Sequence, residues 1–79
     1  MPTVLRTGPY RFFFFSNEGT EPPHIHVESG GRYAKLWLEG VEVAEAINYS
    51  AAEIRRIRLI VIQNRHLFMR RWHEHFGSP

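Results

Sequence analysis

Two histidines in one short segment are the residues of this chain best suited to chemistry. The segment reads Pro22-Pro23-His24-Ile25-His26-Val27. Imidazole titrates near neutral pH, so histidine serves as a general acid, a general base or a metal ligand. The two prolines fix the backbone ahead of His24 and favour an extended strand after them. Because alternate side chains of a strand point to the same side, His24 and His26 are expected to share one face of a sheet.

Metal-independent cleavage of RNA is one reaction that this pair suggests. Attack by a 2′-hydroxyl needs a base, an acid and a cation for the phosphate. His24 and His26 would be the base and the acid, in either order, and Lys35 or Arg11 would hold the phosphate. The same face is predicted to carry three further candidate binding residues, of which the two aromatic ones could stack with a base: Tyr33, Trp37 and Glu28.

Metal binding is a second use of the pair. Two histidines on one face can share a divalent ion such as zinc, but a zinc site needs at least a third protein ligand. The candidates for that ligand are Glu21, Glu28, His73 and His75. Nothing in the sequence selects one of them, so we expect no cofactor and keep a metal at His24 and His26 as an alternative.

A structural role is the third possible use of the histidine pair. Each imidazole could hydrogen-bond across to Glu28 or donate to loop carbonyls, which would hold the Pro22-Pro23 loop in place. In that case the protein would be a non-catalytic module for protein binding or oligomerisation.

A tight turn predicts how the histidine strand pairs. Gly30-Gly31 supplies the two positive φ values that a two-residue hairpin requires. It places His24 opposite Trp37, His26 opposite Lys35 and Glu28 opposite Tyr33. The other face of this hairpin is then apolar and predicted to be core: Ile25, Val27, Ala34, Leu36 and Leu38.

The remaining strands are predicted from composition. Thr3–Arg6 is a short strand. The aromatic run Tyr10–Ser16 is either a central core strand or an edge strand buried by a partner. Val41–Ile47 adds another strand, with a helical turn as the alternative.

A long C-terminal helix is predicted from about residue 51 to about 75. Ser50 and Glu53 form a capping box at its start, and Gly77 ends it. Its core stripe contains Ile54, Ile57, Val61, Phe68 and Trp72, with Asn64 among them. The fold class is therefore α+β: a small antiparallel sheet of three to five strands with one long C-terminal helix packed on one face.

A second stripe of the helix suggests an interface. Leu59, Ile62 and Met69, with His66 between them, project away from the core stripe. So small a core gains from a partner, and we expect this stripe to contact a second copy or a small protein partner. We expect the helix arginines to be solvated surface, and the Asn64 amide to tie the helix to a sheet or loop backbone group.

The composition limits the classes of protein to which this chain can belong. The 79 residues suit a single domain, 1–79, and the absence of cysteine excludes disulfides and zinc–thiolate sites. The net charge of +2 permits RNA as a target without indicating it. No segment resembles a signal peptide or a membrane span, so we expect a cytoplasmic protein without membrane contact.

Several segments resemble one bacterial family, called domain of unknown function 4160. The resemblance covers residues 1 to about 77 and is most specific at His24-Ile25-His26. It rests on Met1–Arg6, Gly8–Phe14, Ser16–Gly19, Glu21–Val27, Asn64-Arg65 and Trp72-His73-Glu74. Leu59, Ile62 and His66 replace the charged residues that similar proteins usually carry, and Tyr33 replaces a small or charged one.

The resemblance implies a genetic context. Members of this family are short proteins often encoded beside a second small domain, domain of unknown function 2442, which implies a toxin–antitoxin pair. We therefore predict a toxin-like component of a two-gene module that acts through the His24/His26 face, for which RNA is a candidate target.

Overall fold

The computed structural model describes residues 3–16 and 19–77, which form one antiparallel sheet followed by two helices. The strands are β1 (Thr3–Thr7), β2 (Tyr10–Phe13), β3 (His24–Ser29), β4 (Arg32–Trp37) and β5 (Glu42–Ile47). The helices are α1 (Ala51–Gln63) and α2 (Arg65–Phe76). The five strands lie side by side in the order of the sequence. The predicted α+β class is thus confirmed, and neither helix is long and apolar enough to cross a membrane.

The β3–β4 hairpin has the predicted register. Each pair is observed, from His24 opposite Trp37 to Ser29 opposite Arg32. Gly30 and Gly31 have φ values of 49° and 78°, a region that residues with a Cβ atom rarely adopt. The turn therefore determines which side chains share a face.

The core lies between the apolar face of this hairpin and the helices. The predicted sheet residues are fully buried: Ile25, Val27, Ala34, Leu36 and Leu38. Most of the predicted helix stripe is buried as well: Ile57, Val61, Phe68 and Trp72. Ile54, the remaining apolar residue of the stripe, is partly buried and packs against this core. Ser50 Oγ accepts a hydrogen bond from the Glu53 amide at 3.2 Å, which is one of the two bonds of the predicted capping box, and Gly77 caps the end of α2.

The prediction of one continuous helix was wrong. The chain breaks at Asn64, whose φ of −113° and ψ of 15° are not helical. The Asn64 amide donates to the Ile60 carbonyl oxygen at 2.8 Å, so it bonds within its own helix and not to the sheet or a loop as expected. Asparagine competes in this way with the backbone hydrogen bonds of a helix. Beyond the break, Trp72 of α2 contacts Phe14 just after β2.

The aromatic run forms a central strand, as predicted, since β2 lies between β1 and β3. The alternative of an edge strand buried by a partner was wrong. Phe12 and Phe14 belong to the core on the helix side, whereas Phe13 contacts His26 on the other face of the sheet. Both faces of β2 are therefore covered within the chain.

The segment after Gly40 is a strand, not a helical turn, and it forms one edge of the sheet. All six residues of β5 are exposed. Two arginines of the helices secure the turn before it: Arg58 Nε donates to the Val41 carbonyl oxygen at 2.9 Å, and Arg65 Nε to that of Leu38 at 2.6 Å. The expectation that the helix arginines are only solvated surface was wrong for these two.

Tyr49 links the end of β5 to the hairpin, and the protonation of its hydroxyl is coupled to folding. Its hydroxyl is 2.8 Å from Ser29 Oγ, and burial raises its pKa above 10.0, with smaller contributions from Tyr10 and Glu53. The folded state thus holds this proton more tightly than the unfolded chain. Its contribution to stability is complete below about pH 10 and falls as the pH rises from there through the raised pKa.

When the pH is raised to the alkaline range, we expect the free energy of unfolding of Tyr49→Phe to fall less than that of the wild type. Urea unfolding at about pH 8 and about pH 10.5 measures this difference. At the lower pH the variant should be about 1 kcal/mol less stable, because the bond to Ser29 is lost. If the free energy of unfolding fell equally in the two proteins between these pH values, the raised pKa of Tyr49 would not be coupled to stability as described.

Candidate functional site

The two histidines share one face of the sheet as predicted, but this face is not open. His24 is 0% exposed and His26 is 2% exposed. Aromatic rings from β2, from Phe15 shortly after it and from α2 pack around the pair.

His24 anchors the loop that precedes it. Its Nδ1 donates to the Pro22 carbonyl oxygen at 2.8 Å, and a carbonyl can only accept, so Nδ1 carries the proton. The ring lies between the two tryptophans, with centroid distances of 5.5 Å to Trp37 and 4.9 Å to Trp72. This is one of the structural uses predicted for the pair.

His26 lies in an aromatic box. Its Nδ1 is hydrogen-bonded to the Tyr33 hydroxyl at 2.7 Å, and the two rings stack at 5.8 Å. Phe13 stacks on the imidazole at 5.4 Å, and Phe15 meets it edge-on at 4.5 Å. Since His24 is 5.0 Å away by ring centroid, both imidazoles belong to one packed cluster.

The predicted phosphate-holding cations are already paired with carboxylates. Lys35 Nζ is 2.8 Å from Glu21 and lies 4.6 Å above the Trp37 ring. Arg11 is 2.9 Å from Glu28 and lies 4.5 Å above the Phe13 ring. The face therefore brings the predicted catalytic and binding residues together, but in a charge-balanced and hydrogen-bonded arrangement.

Among the described residues, the proposed third ligands do not complete a metal site with the histidine pair, although Glu21 Oε1 lies 3.7 Å from His24 Nδ1. Within residues 3–16 and 19–77, no three side chains of His, Asp or Glu come together as metal ligands. Glu28 pairs with Arg11, and His75 stacks on Phe14 at 6.4 Å.

The predicted helix interface is only partly exposed. Leu59 and Ile62 are 53% and 47% exposed, and His66 is exposed as well. Met69 was predicted on the same outward stripe but packs against the core instead, because it lies beside Phe68 and three residues before Trp72, both of which are buried.

Sequence reasoning missed two exposed apolar residues of β5. Val43 and Ile47 are 38% and 45% exposed. Across the β4–β5 pair, Val43 lies opposite core residue Leu36, while Ile47 lies opposite Tyr33. They are therefore on opposite faces of the edge strand. The sequence did offer one sign that this strand is exposed, namely its charge. Residues 36 to 54 contain four glutamates and no lysine or arginine.

Comparison with known proteins identifies a family. A family model described as "Domain of unknown function (DUF4160)" matches residues 10–73. No curated protein and no solved structure matches the chain. The matched segment extends from the start of β2 into α2 and includes the histidine pair. The chain therefore belongs to the family of domains of unknown function DUF4160.

Proposed function

We propose that this protein is a non-catalytic binding module that takes up an extended, basic segment of a partner protein along the free edge of β5. The observation that carries this proposal is the fully exposed edge strand with its unpaired carboxylates. The histidine pair then has a structural role, holding the loop and the second face of the sheet.

The first step of the argument is the backbone of β5. One edge of this strand pairs with β4, and no other strand of the described chain pairs with its outer edge. Such an edge offers a row of N–H and C=O groups to an added strand. Peptide recognition by strand addition uses this geometry.

The second step is charge. Glu39, Glu42 and Glu45 lie in or beside the edge strand, and within the described part of the chain none of them forms an ion pair. A second copy would bring acid against acid if two β5 strands paired. A basic segment is complementary, and a matched potential also speeds association.

The third step is apolar contact on both faces. An added strand beside β5 would meet Val43 on the helix side and Ile47 on the other side. Ile62 lies one helical turn after Arg58, whose guanidinium reaches Val41 beside β5. Ile62 is therefore placed on the same flank of α1.

The predicted toxin–antitoxin arrangement fits this proposal without catalysis. The neighbouring small protein would supply the basic segment. The alternative, in which His24 and His26 cleave RNA, requires access to imidazoles that are 0% and 2% exposed.

A pair of synthetic peptides tests the proposal. A short peptide of alternating lysine and valine should bind about tenfold more tightly than the matched peptide of glutamate and valine, a difference of about 1.4 kcal/mol. Amide signals of β5 should shift on binding. Glu42→Lys combined with Glu45→Lys should reverse the preference. Glu74→Lys, which changes an exposed carboxylate of α2, is the control and should leave the preference intact.

Three results would contradict the proposal. One is equal binding of both peptides, and another is a dimer in sedimentation that Val43→Lys abolishes. The third is RNA cleavage by the wild type that is lost in a folded His24→Asn variant, which would favour the catalytic alternative.

A further inference from the structure

A hollow at the turn end of the sheet carries three arginines; it borders the histidine face at Arg11 and Tyr33 and contains no residue of β5. We infer that this arginine hollow, lined by Arg6, Arg11, Arg32, Gly30, Gly31 and Tyr33, binds a phosphate monoester. Its volume is about 550 Å³, within the range of pockets for small ligands. It includes no residue of β5, so its test is independent of the proposed function.

The first observation is an uncompensated charge. Arg6 lies directly opposite Arg11 in the β1–β2 pair, an arrangement of like charges that destabilises a sheet. Arg6 forms no ion pair or side-chain hydrogen bond with any residue of 3–16 or 19–77. A chain that retains such a pair gains from an anion placed between the two guanidinium groups.

The second observation is that one guanidinium is held in position. Arg11 Nε donates to Thr3 Oγ1 at 2.8 Å, and Nη1 donates to Glu28 at 2.9 Å. These bonds use two of its five N–H donors and fix the plane of the group. The remaining donors are oriented before a ligand arrives, which lowers the entropy cost of binding.

The third observation is the open floor of the hollow. Gly30 and Gly31 have no side chain, and a Cβ atom at either position would meet nothing within 4 Å. A ligand can therefore approach the backbone of the turn closely. Arg32 flanks this floor with a side chain that is 47% exposed and reaches Glu53 only at 3.9 Å.

The charge selects the ligand class. Three arginines and Glu28 line the hollow, and Glu53 lies 3.9 Å from Arg32 Nε, which leaves a net charge of +1 before a ligand binds. This positive charge attracts the anionic phosphate monoester, and guanidinium forks bind phosphate oxygens in pairs. The monoester could come from a small phosphorylated metabolite, such as a nucleotide, or from the phosphorylated end of a nucleic acid.

The test is a titration followed by NMR and calorimetry at low ionic strength. Inorganic phosphate and adenosine 5′-monophosphate should shift the amide signals of Gly30 and Gly31, whereas chloride at equal ionic strength should not. An RNA oligonucleotide with a 5′-phosphate competing with the monophosphate would identify the end of a nucleic acid as a source. Failure of this RNA to compete would assign the hollow to small phosphorylated ligands.

Matched variants distinguish a built site from general attraction of anions. Arg6→Gln should weaken phosphate binding about tenfold, because a charge-assisted bidentate contact is lost. It should leave the thermal midpoint unchanged or raised, since the like-charge pair with Arg11 is relieved. Arg56→Gln removes an exposed charge from α1 and should bind as the wild type does.

Three outcomes would overturn the inference. In one, phosphate causes no shift at Gly30 and Gly31. In another, Arg6→Gln and Arg56→Gln weaken binding equally. In the third, RNA without a terminal phosphate binds as tightly as the 5′-phosphorylated form.

Discussion

Replacing Trp72 with alanine is expected to remove a large part of the stability of this domain. The indole is 4% exposed and contacts Phe14 on one side and His24 on the other, with ring centroids at 5.4 Å and 4.9 Å. It also packs on Phe76 at 4.2 Å. Truncating a buried aromatic residue to alanine costs about 3–5 kcal/mol. A chain of this length has a free energy of unfolding of about 4–12 kcal/mol, so the loss is a large part of the total.

Urea unfolding followed by circular dichroism measures this effect. Trp72→Phe keeps an aromatic ring at the site and should recover a large part of the loss. Leu59→Ala, a truncation at a position that is 53% exposed, is the control and should change stability by less than about 0.5 kcal/mol. A Trp72→Ala variant that unfolds at the same urea concentration as the wild type would show that α2 does not hold the end of the sheet.

The parts of the fold that the sequence predicted are those with local causes. Gly30-Gly31 specifies the hairpin register through backbone conformation alone. The register in turn specifies which residues face the helices. The capping residue Ser50 marks the start of α1 in the same local way. These signals need no knowledge of distant parts of the chain.

The parts that were missed depend on distant neighbours. The burial of His24 and His26 requires rings that lie far along the chain, including Trp72 of α2. The break at Asn64 reflects a competition between side chain and backbone that helical periodicity does not reveal. The exposure of β5 follows from strand order, since an edge position cannot be recognised from the strand alone.

Both faces of the sheet are used for packing. On one face the helices cover the aliphatic residues, and on the other the aromatic box covers His26. A domain of about this size buries only roughly 60% of its unfolded surface. The second packed face therefore adds to the small core, which explains why polar imidazoles are fully enclosed here and why each has a hydrogen-bond partner.

His24→Ala is expected to destabilise the fold by about 2–4 kcal/mol, because it removes a buried ring and leaves the Pro22 carbonyl without its donor. The loop from Glu21 to Pro23 should loosen with it. Slower-exchanging amides near the loop, such as that of Leu38, which donates to Pro23 at 3.0 Å, should exchange faster with solvent.

Two isosteric replacements separate a structural histidine from a catalytic one. Asparagine carries its amide nitrogen where His24 has Nδ1, so His24→Asn keeps the donor to Pro22 and should recover part of the lost stability. His24→Gln places its nitrogen farther from the backbone and should recover less. His66→Ala, at an exposed histidine of α2, is the control and should change stability by less than about 0.5 kcal/mol. A structural role predicts the stability order wild type, asparagine, glutamine, alanine, measured by urea unfolding and followed by the protection of the Leu38 amide. If all the His24 variants were as stable as the wild type, the imidazole would not anchor the loop. A catalytic role would then be the better explanation of the buried pair.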